Sequence, residues 1–180
     1  MSDDRTCHVC DGLRPAVEDC AACVGRGVVD SIGFCGTPWD EVHPGLWVGG
    51  HSVAGDDGRP VPVVVGDEFD TVVSLYAAPG HGPAEGVEHL HHRMADADLL
   101  GEDAAHVARL AAVTAARVRE GRRVLVRCQA GLNRSSLVAA LAMVELGVAP
   151  QDAIDRIRAA RSTNCLFNRS FVAHVRAAAS

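Results

Sequence analysis

The stretch Arg127-Cys128-Gln129-Ala130-Gly131-Leu132-Asn133-Arg134-Ser135-Ser136 decides the reading of this chain. It is entered from the apolar run Val124-Leu125-Val126. Beyond it, Leu137, Ala140, Leu141 and Val144 recur at i, i+3, i+4 and i+7. That spacing belongs to a one-faced helix, so the segment reads as strand, tight loop, helix, with the thiol of Cys128 at the start of the loop. A loop feeding a helix N-terminus turns backbone N–H groups inward and adds the positive end of the helix dipole. The result is an anion site that also favours thiolate over thiol. Arg134 adds a planar fork able to hold two oxygens of one phosphate. A nucleophilic sulfur on the floor of such a cradle points to phosphoryl transfer through a phosphocysteine.

Around this core the chain from Thr37 onward reads as α/β. Leu46-Trp47-Val48, Thr71 to Leu75, Val87 to Arg93 and Arg123 to Arg127 are strand candidates. Ala104, Val107, Ala108, Ala111, Ala115 and Val118 form a helical stripe over 102–120, closed by Gly121. Pro150 opens a further helix and Asn168 caps a last one that turns Phe171, Val172 and Val175 inward. Gly55 to Pro62 is a turn-rich loop, and Ala77 to Gly86 is a Gly/Pro-rich mobile loop expected at the site entrance. The alternation implies a mainly parallel central sheet flanked by helices. The Cys128 loop then lies at the carboxyl end of a central strand, where such sheets bind ligands.

Composition narrows the class. The 180 residues allow one domain and a small extra module. No apolar run is long enough to span a membrane, and the acidic N-terminus lacks a secretory signal, so a cytoplasmic protein is expected. The net charge of −6 argues against general nucleic-acid binding. Seven cysteines without a signal point to metal or catalysis rather than to disulfides.

Five of those cysteines fall in residues 1–36, which show little hydrophobic periodicity. Cys7-His8-Val9-Cys10 and Cys20-Ala21-Ala22-Cys23 are two Cys-x-x-Cys knuckles, and four thiolates suit a closed structural Zn²⁺ site. The expected organisation is a zinc module at 1–36, a candidate docking surface for a protein partner, and a catalytic domain at 37–180. A redox dithiol pair is the competing reading of the knuckles. His8 and Cys35 are substitute ligands or bystanders. The knuckle pair resembles half of the cysteine-rich repeat of J-domain chaperones, with a shorter loop.

The run from Cys128 to Ser135 resembles the Cys-x5-Arg-Ser/Thr signature of the cysteine-dependent protein tyrosine phosphatase superfamily, most closely its dual-specificity branch. The likeness extends from about Pro44 to Phe171. It implies a protein tyrosine phosphatase-like fold, no cofactor for catalysis, and a phosphate-binding loop of Gln129, Ala130, Gly131, Leu132 and Asn133 between Cys128 and Arg134. In that family the general acid is a carboxylic acid on the loop one helix upstream. Asp96 in Met94-Ala95-Asp96-Ala97-Asp98 matches best, and Asp98 is its rival. Ser135 is placed to hydrogen-bond the sulfur, or else to cap the helix. Asn133 and Asn168 are candidate braces, the latter within Arg161 to Asn168, which resembles the family's carboxyl-terminal Arg…Asn-x-x-Phe pattern. One departure stands out: the family carries histidine just before the cysteine, and here Arg127 occupies that place, either serving in its stead or turned outward.

The resemblance implies hydrolysis of phosphate monoesters, above all protein phosphotyrosine and also phosphoserine or phosphothreonine. The variable loop positions carry no extra cation, which disfavours polyphosphorylated head groups. Alternatives are a catalytically weak phosphopeptide-binding module, a phosphatase of RNA ends, phosphoinositides or metabolites, and a sulfurtransferase. His89 and His91 share a strand face next to His92 and read as surface residues rather than metal ligands. Cys165 is a resolving thiol or a small buried apolar residue.

Overall fold

The computed structural model describes residues 33–99 and 101–178. The proposed zinc ligands Cys7, Cys10, Cys20 and Cys23 lie outside the described residues. Seven strands and four helices follow one another: β1 (Trp39–His43), β2 (Leu46–Gly50), β3 (Ser52–Ala54), β4 (Pro60–Pro62), β5 (Thr71–Ser74), β6 (Glu88–His91), α1 (Gly101–Arg119), β7 (Val124–Cys128), α2 (Arg134–Glu145), α3 (Pro150–Ala160) and α4 (Arg169–Ala177). The main sheet has the order β1-β2-β7-β5-β6. The four strands β2, β7, β5 and β6 run parallel, and β1 is an antiparallel edge. β7 is the middle strand and is buried along its whole length, as its unbroken Val-Leu-Val run requires.

Strand alternation divides the core in two. Leu46, Val48, Val73, Val124, Val126 and Cys128 face one large cluster that also contains the inner residues of all four helices. Val72 and Leu125 face the opposite side, where Val65, Phe69, Trp39 and Trp47 cover them. The four described helices therefore gather on one face of the sheet, and the other is roofed by the 63–69 segment and three aromatic rings. Trp39 and Trp47 meet Phe69 edge-on, with centroids 5.2 and 5.4 Å apart.

Helix α2 differs from its expected one-sided pattern: every residue from Arg134 to Met143 is buried. It touches β7 and β2 beneath it, α1 along one side, and α3 and α4 as well. A helix enclosed this way needs small apolar residues all round, and Ala139, Ala140 and Ala142 provide them. The caps follow the sequence. Pro150 occupies the first turn of α3, and the Asn168 side chain accepts from Ser170 N at the start of α4. Two features were not foreseen. β1 is too short and polar to register as a strand, and β3 with β4 forms a hairpin around the turn read as a plain loop. Among the described residues no helix is long and apolar enough to cross a membrane.

Candidate active site

The loop after β7 is shaped by what holds its carbonyls. His51 N donates to Cys128 O at 2.9 Å and to Gln129 O at 3.0 Å, and Ser52 N donates to Gln129 O at 3.2 Å. On the other flank Arg161 Nε donates to Gly131 O at 2.6 Å and its Nη2 to Ala130 O at 3.4 Å. Leu166 N donates to Leu132 O at 2.9 Å. The carbonyls of residues 128–132 are thus all drawn outward. Across a trans peptide unit the N–H points opposite to the carbonyl, so the amides that follow face inward. The N–H groups of residues 129–133 have no acceptor among the described residues. Such a ring of converging free amides at a helix N-terminus is a ready oxyanion cradle.

Gly131 makes the turn possible. Its φ is +72°, and a Cβ there would lie 2.5 Å from the backbone of Gly49, so only glycine lets the loop pass β2 this closely. Arg161 is itself anchored: its side chain is fully buried, and Nη1 pairs with Asp40 Oδ2 at 2.7 Å. In the sequence Arg161 is legible only as part of the Arg…Asn-x-x-Phe pattern. Its function as the outer clamp on the loop depends on Asp40, 121 residues away.

Within the cradle Cys128 is buried, and its Sγ lies 3.3 Å from Ser135 Oγ. Ser135 is not the helix cap; Asn133 holds that position. Arg134 is 8% exposed. Its Nη1 donates to Met94 O at 3.0 Å, and its guanidinium carbon stands 5.8 Å from the centre of the Tyr76 ring. Arg134 Nε is buried without a hydrogen-bond partner, a spare donor for a bound oxygen.

The loop that carries Asp96 closes over this floor. Asp96 Oδ1 accepts from Asn133 Nδ2, and Oδ2 lies 3.7 Å from Arg134 Nε. Asn133 Oδ1 in turn accepts from Asn168 N, and Asn168 Nδ2 donates to Ala97 O at 3.1 Å. The two asparagines tie the Asp96 loop, the Cys128 loop and α4 together. The Asp96 side chain is 32% exposed, and its carboxyl is partly buried against Asn133 and Arg134. That burial raises its pKa, against the opposing pulls of Arg134 and of the Asn133 hydrogen bond. Asp98 is exposed and does not line the cavity.

Cys128, Arg134, Asp96 and the loop residues Gln129, Ala130, Leu132 and Asn133 line one cavity of about 290 Å³, completed by Phe34 and Phe167. The two phenylalanines carried no sequence signal, since isolated aromatics outside periodic segments match no template. Phe34 also bears on the expected boundary at residue 36. It forms part of the wall, while Cys35 packs on the main core and accepts from Ala54 N at 3.0 Å. Phe34 and Cys35 therefore pack with the described α/β fold.

Arg127 is fully buried on the face away from the four described helices, opposite the side that carries Cys128, so it is not turned out to solvent. It clamps the 77–86 loop, with Nη1 to His81 O at 2.9 Å and Nη2 to Gly82 O at 2.7 Å. That loop borders a neighbouring cavity rather than the one over Cys128. Cys165 is fully buried in the core, and burial pushes its thiol up to about 11, as for a small apolar residue. Among the described residues no cluster of histidine, cysteine and carboxylate groups fits a metal ion.

This architecture is that of the dual-specificity phosphatases. The chain is similar to human DUSP28 at 26% identity and a TM-score of 0.61, covering 79% of this chain and 93% of that one. It also superposes on DUSP15 (21% identity, TM-score 0.56, 77% and 85% covered). The human tyrosine phosphatase-like serine/threonine/tyrosine-interacting protein is a further neighbour (21%, TM-score 0.55, 77% and 93% covered). The last two likenesses show the fold alone; the first supports phosphatase chemistry in general. No protein-family model matches the chain, and a search of curated proteins finds no match.

Proposed function

We propose that this protein belongs to the dual-specificity branch and hydrolyses phosphate monoesters through a phosphocysteine, with protein phosphotyrosine as the main substrate and phosphoserine and phosphothreonine as further ones. The observation that carries the reading is the loop itself: outward-bonded carbonyls leave the amides of residues 129–133 free around the sulfur of Cys128. In the proposed reaction these amides and Arg134 hold the three non-bridging oxygens of the phosphoryl group. Sulfur attacks phosphorus as the phosphorus–oxygen bond of the ester breaks, and Asp96 gives its proton to the leaving oxygen. Asp96, now ionised, takes a proton from the water that attacks phosphocysteine, and the Ser135 hydroxyl donates to the departing sulfur. Inorganic phosphate leaves and the starting state returns.

Phe34 and Phe167 on the cavity wall favour a flat aromatic leaving group, which supports phosphotyrosine over the smaller alcohol esters. Zinc on Cys7, Cys10, Cys20 and Cys23 is proposed as a structural ion apart from this chemistry. The test is kcat/KM on phosphotyrosyl, phosphoseryl and phosphothreonyl peptides beside phosphoinositides and phosphorylated RNA ends. Turnover led by the phosphotyrosyl peptide supports the reading. Preference for a non-protein ester replaces its substrate class, and tight peptide binding without turnover replaces the enzyme by a binding module.

A further inference from the structure

Behind the Cys128 loop, on the face away from the four described helices, lies a second cavity of about 370 Å³ bordered by Arg127, His51, Ser74, Tyr76, His89 and His91. Sheet register explains why these residues meet. Arg127 pairs with Ser74 on β5, and Ser74 with His91 on β6, so all three point to one side, with His89 two residues before His91.

Two of the lining groups are poorly satisfied. Arg127 is 0% exposed and carries a charge. Its Nε donates to Ser74 Oγ at 3.0 Å, and its other two contacts are the neutral carbonyls of His81 and Gly82. It pairs with no carboxylate among the described residues, and its five N–H groups exceed these three bonds. Burial lowers its pKa to about 10 with nothing opposing. His51 is 2% exposed, and neither ring nitrogen has a hydrogen-bond partner among the described residues. Burial first, then the positive charge of Arg127 and the neighbouring histidines, lowers its pKa to about 3. The imidazole is therefore neutral at physiological pH and retains one free N–H. A buried guanidinium without a counter-charge and a buried imidazole without a partner border the same space. An oxyanion would satisfy both, with the exposed His91 and His89 at the rim, the latter with its Nε2 2.9 Å from Ser74 Oγ.

We infer that this cavity is a second phosphoryl-binding site, built on Arg127 and His51 and distinct from the cradle over Cys128. It is mechanically linked to that cradle. Tyr76 on its wall carries the Arg134 guanidinium, and the backbone N–H of His51 holds the carbonyls of Cys128 and Gln129. The site takes a phosphoryl dianion, supplied either by free phosphate or by a second phosphorylated residue of the substrate. It does not depend on Cys128 being a nucleophile.

The experiment is a titration of the full chain with inorganic phosphate, following histidine ring resonances by NMR. Filling of the second site shifts the rings of His51 and His89 with a midpoint of its own, separate from that of the amides of residues 129–133. Among the described residues no histidine lines the cavity over Cys128, so a separate midpoint for the histidine rings marks the second site. Arg127→Gln abolishes the histidine response. Should that variant fail to fold, His89→Ala, at an exposed rim position, weakens the His51 response several-fold. A doubly phosphorylated peptide acting at a tenfold lower midpoint than a singly phosphorylated one identifies the substrate as the source. Equal midpoints identify free phosphate. Histidine resonances that stay fixed while the loop amides respond overturn the inference and leave the function proposed for Cys128 intact.

Discussion

Replacing Asp96 by asparagine isolates the proton from everything else this residue does. The asparagine amide oxygen can still accept from Asn133 Nδ2, so the tie between acid loop and phosphate loop is kept. What disappears is the ability to protonate the leaving oxygen. General acid catalysis of this kind contributes about 10²–10⁴-fold. At 1.36 kcal/mol per tenfold, that corresponds to about 2.7–5.4 kcal/mol of barrier. The full loss is expected on alkyl phosphates and aryl phosphates with basic leaving groups, and little or none on nitrophenyl-type esters that depart unassisted. Burial raises the Asp96 pKa, so the acid form persists above the usual carboxylate range. The alkaline limb of kcat for poor leaving groups is displaced upward accordingly, and the limb vanishes in the variant. The sign for stability runs the other way. A carboxyl whose folded pKa is raised supports folding below its unfolded pKa and loses that support as pH rises through the folded value. The neutral asparagine escapes this loss, so the melting temperature at neutral pH does not fall. The assay is a plot of log kcat/KM against leaving-group pKa for wild type, Asp96→Asn and Asp98→Asn. Equal losses on good and poor leaving groups in Asp96→Asn, or the steepened slope appearing in Asp98→Asn instead, refute the assignment.

Cys128→Ser should abolish turnover yet still bind phosphate, because the free amides and Arg134 remain; isothermal titration beside a phosphate-release assay checks both. Ser135→Ala removes the 3.3 Å contact to sulfur and should slow breakdown of the phosphoenzyme more than its formation, seen as a larger burst of aryl alcohol before a slower steady state. Arg161→Met leaves Asp40 unpaired beside the loop and frees two loop carbonyls; breaking a buried pair this way costs about 3–5 kcal/mol, measured by urea unfolding, and phosphate affinity should fall with it. The full chain should carry about one Zn²⁺ by elemental analysis. Removal of residues 1–32, which spares Phe34, should eliminate the metal and retain turnover of a small aryl phosphate; metal retained by that truncation would disprove the assignment to Cys7, Cys10, Cys20 and Cys23.

The sequence by itself determined the elements whose causes are local. The strand, loop and helix around Cys128 announce themselves through an apolar run, a glycine and a 3.6-residue period, and the caps at Pro150 and Asn168 are written in single residues. From these came the parallel sheet, the central place of β7 and the residues gathered at its end. Local pattern could not show what depends on meetings between distant segments. β1 is a strand because β2 offers it an edge, not because Trp39 to His43 alternates cleanly. The one-sided period of α2 gave no hint that α1, α3 and α4 would enclose it. Phe34 and Phe167 enter the cavity wall from opposite ends of the chain, and Arg161 reaches the loop through Asp40. The arginine before the cysteine is the clearest case. Its sequence position left open whether it served the thiol or turned away. Only the pleat of β7, which sends neighbouring side chains to opposite faces, placed Arg127 under the other side of the sheet with His51 and Ser74.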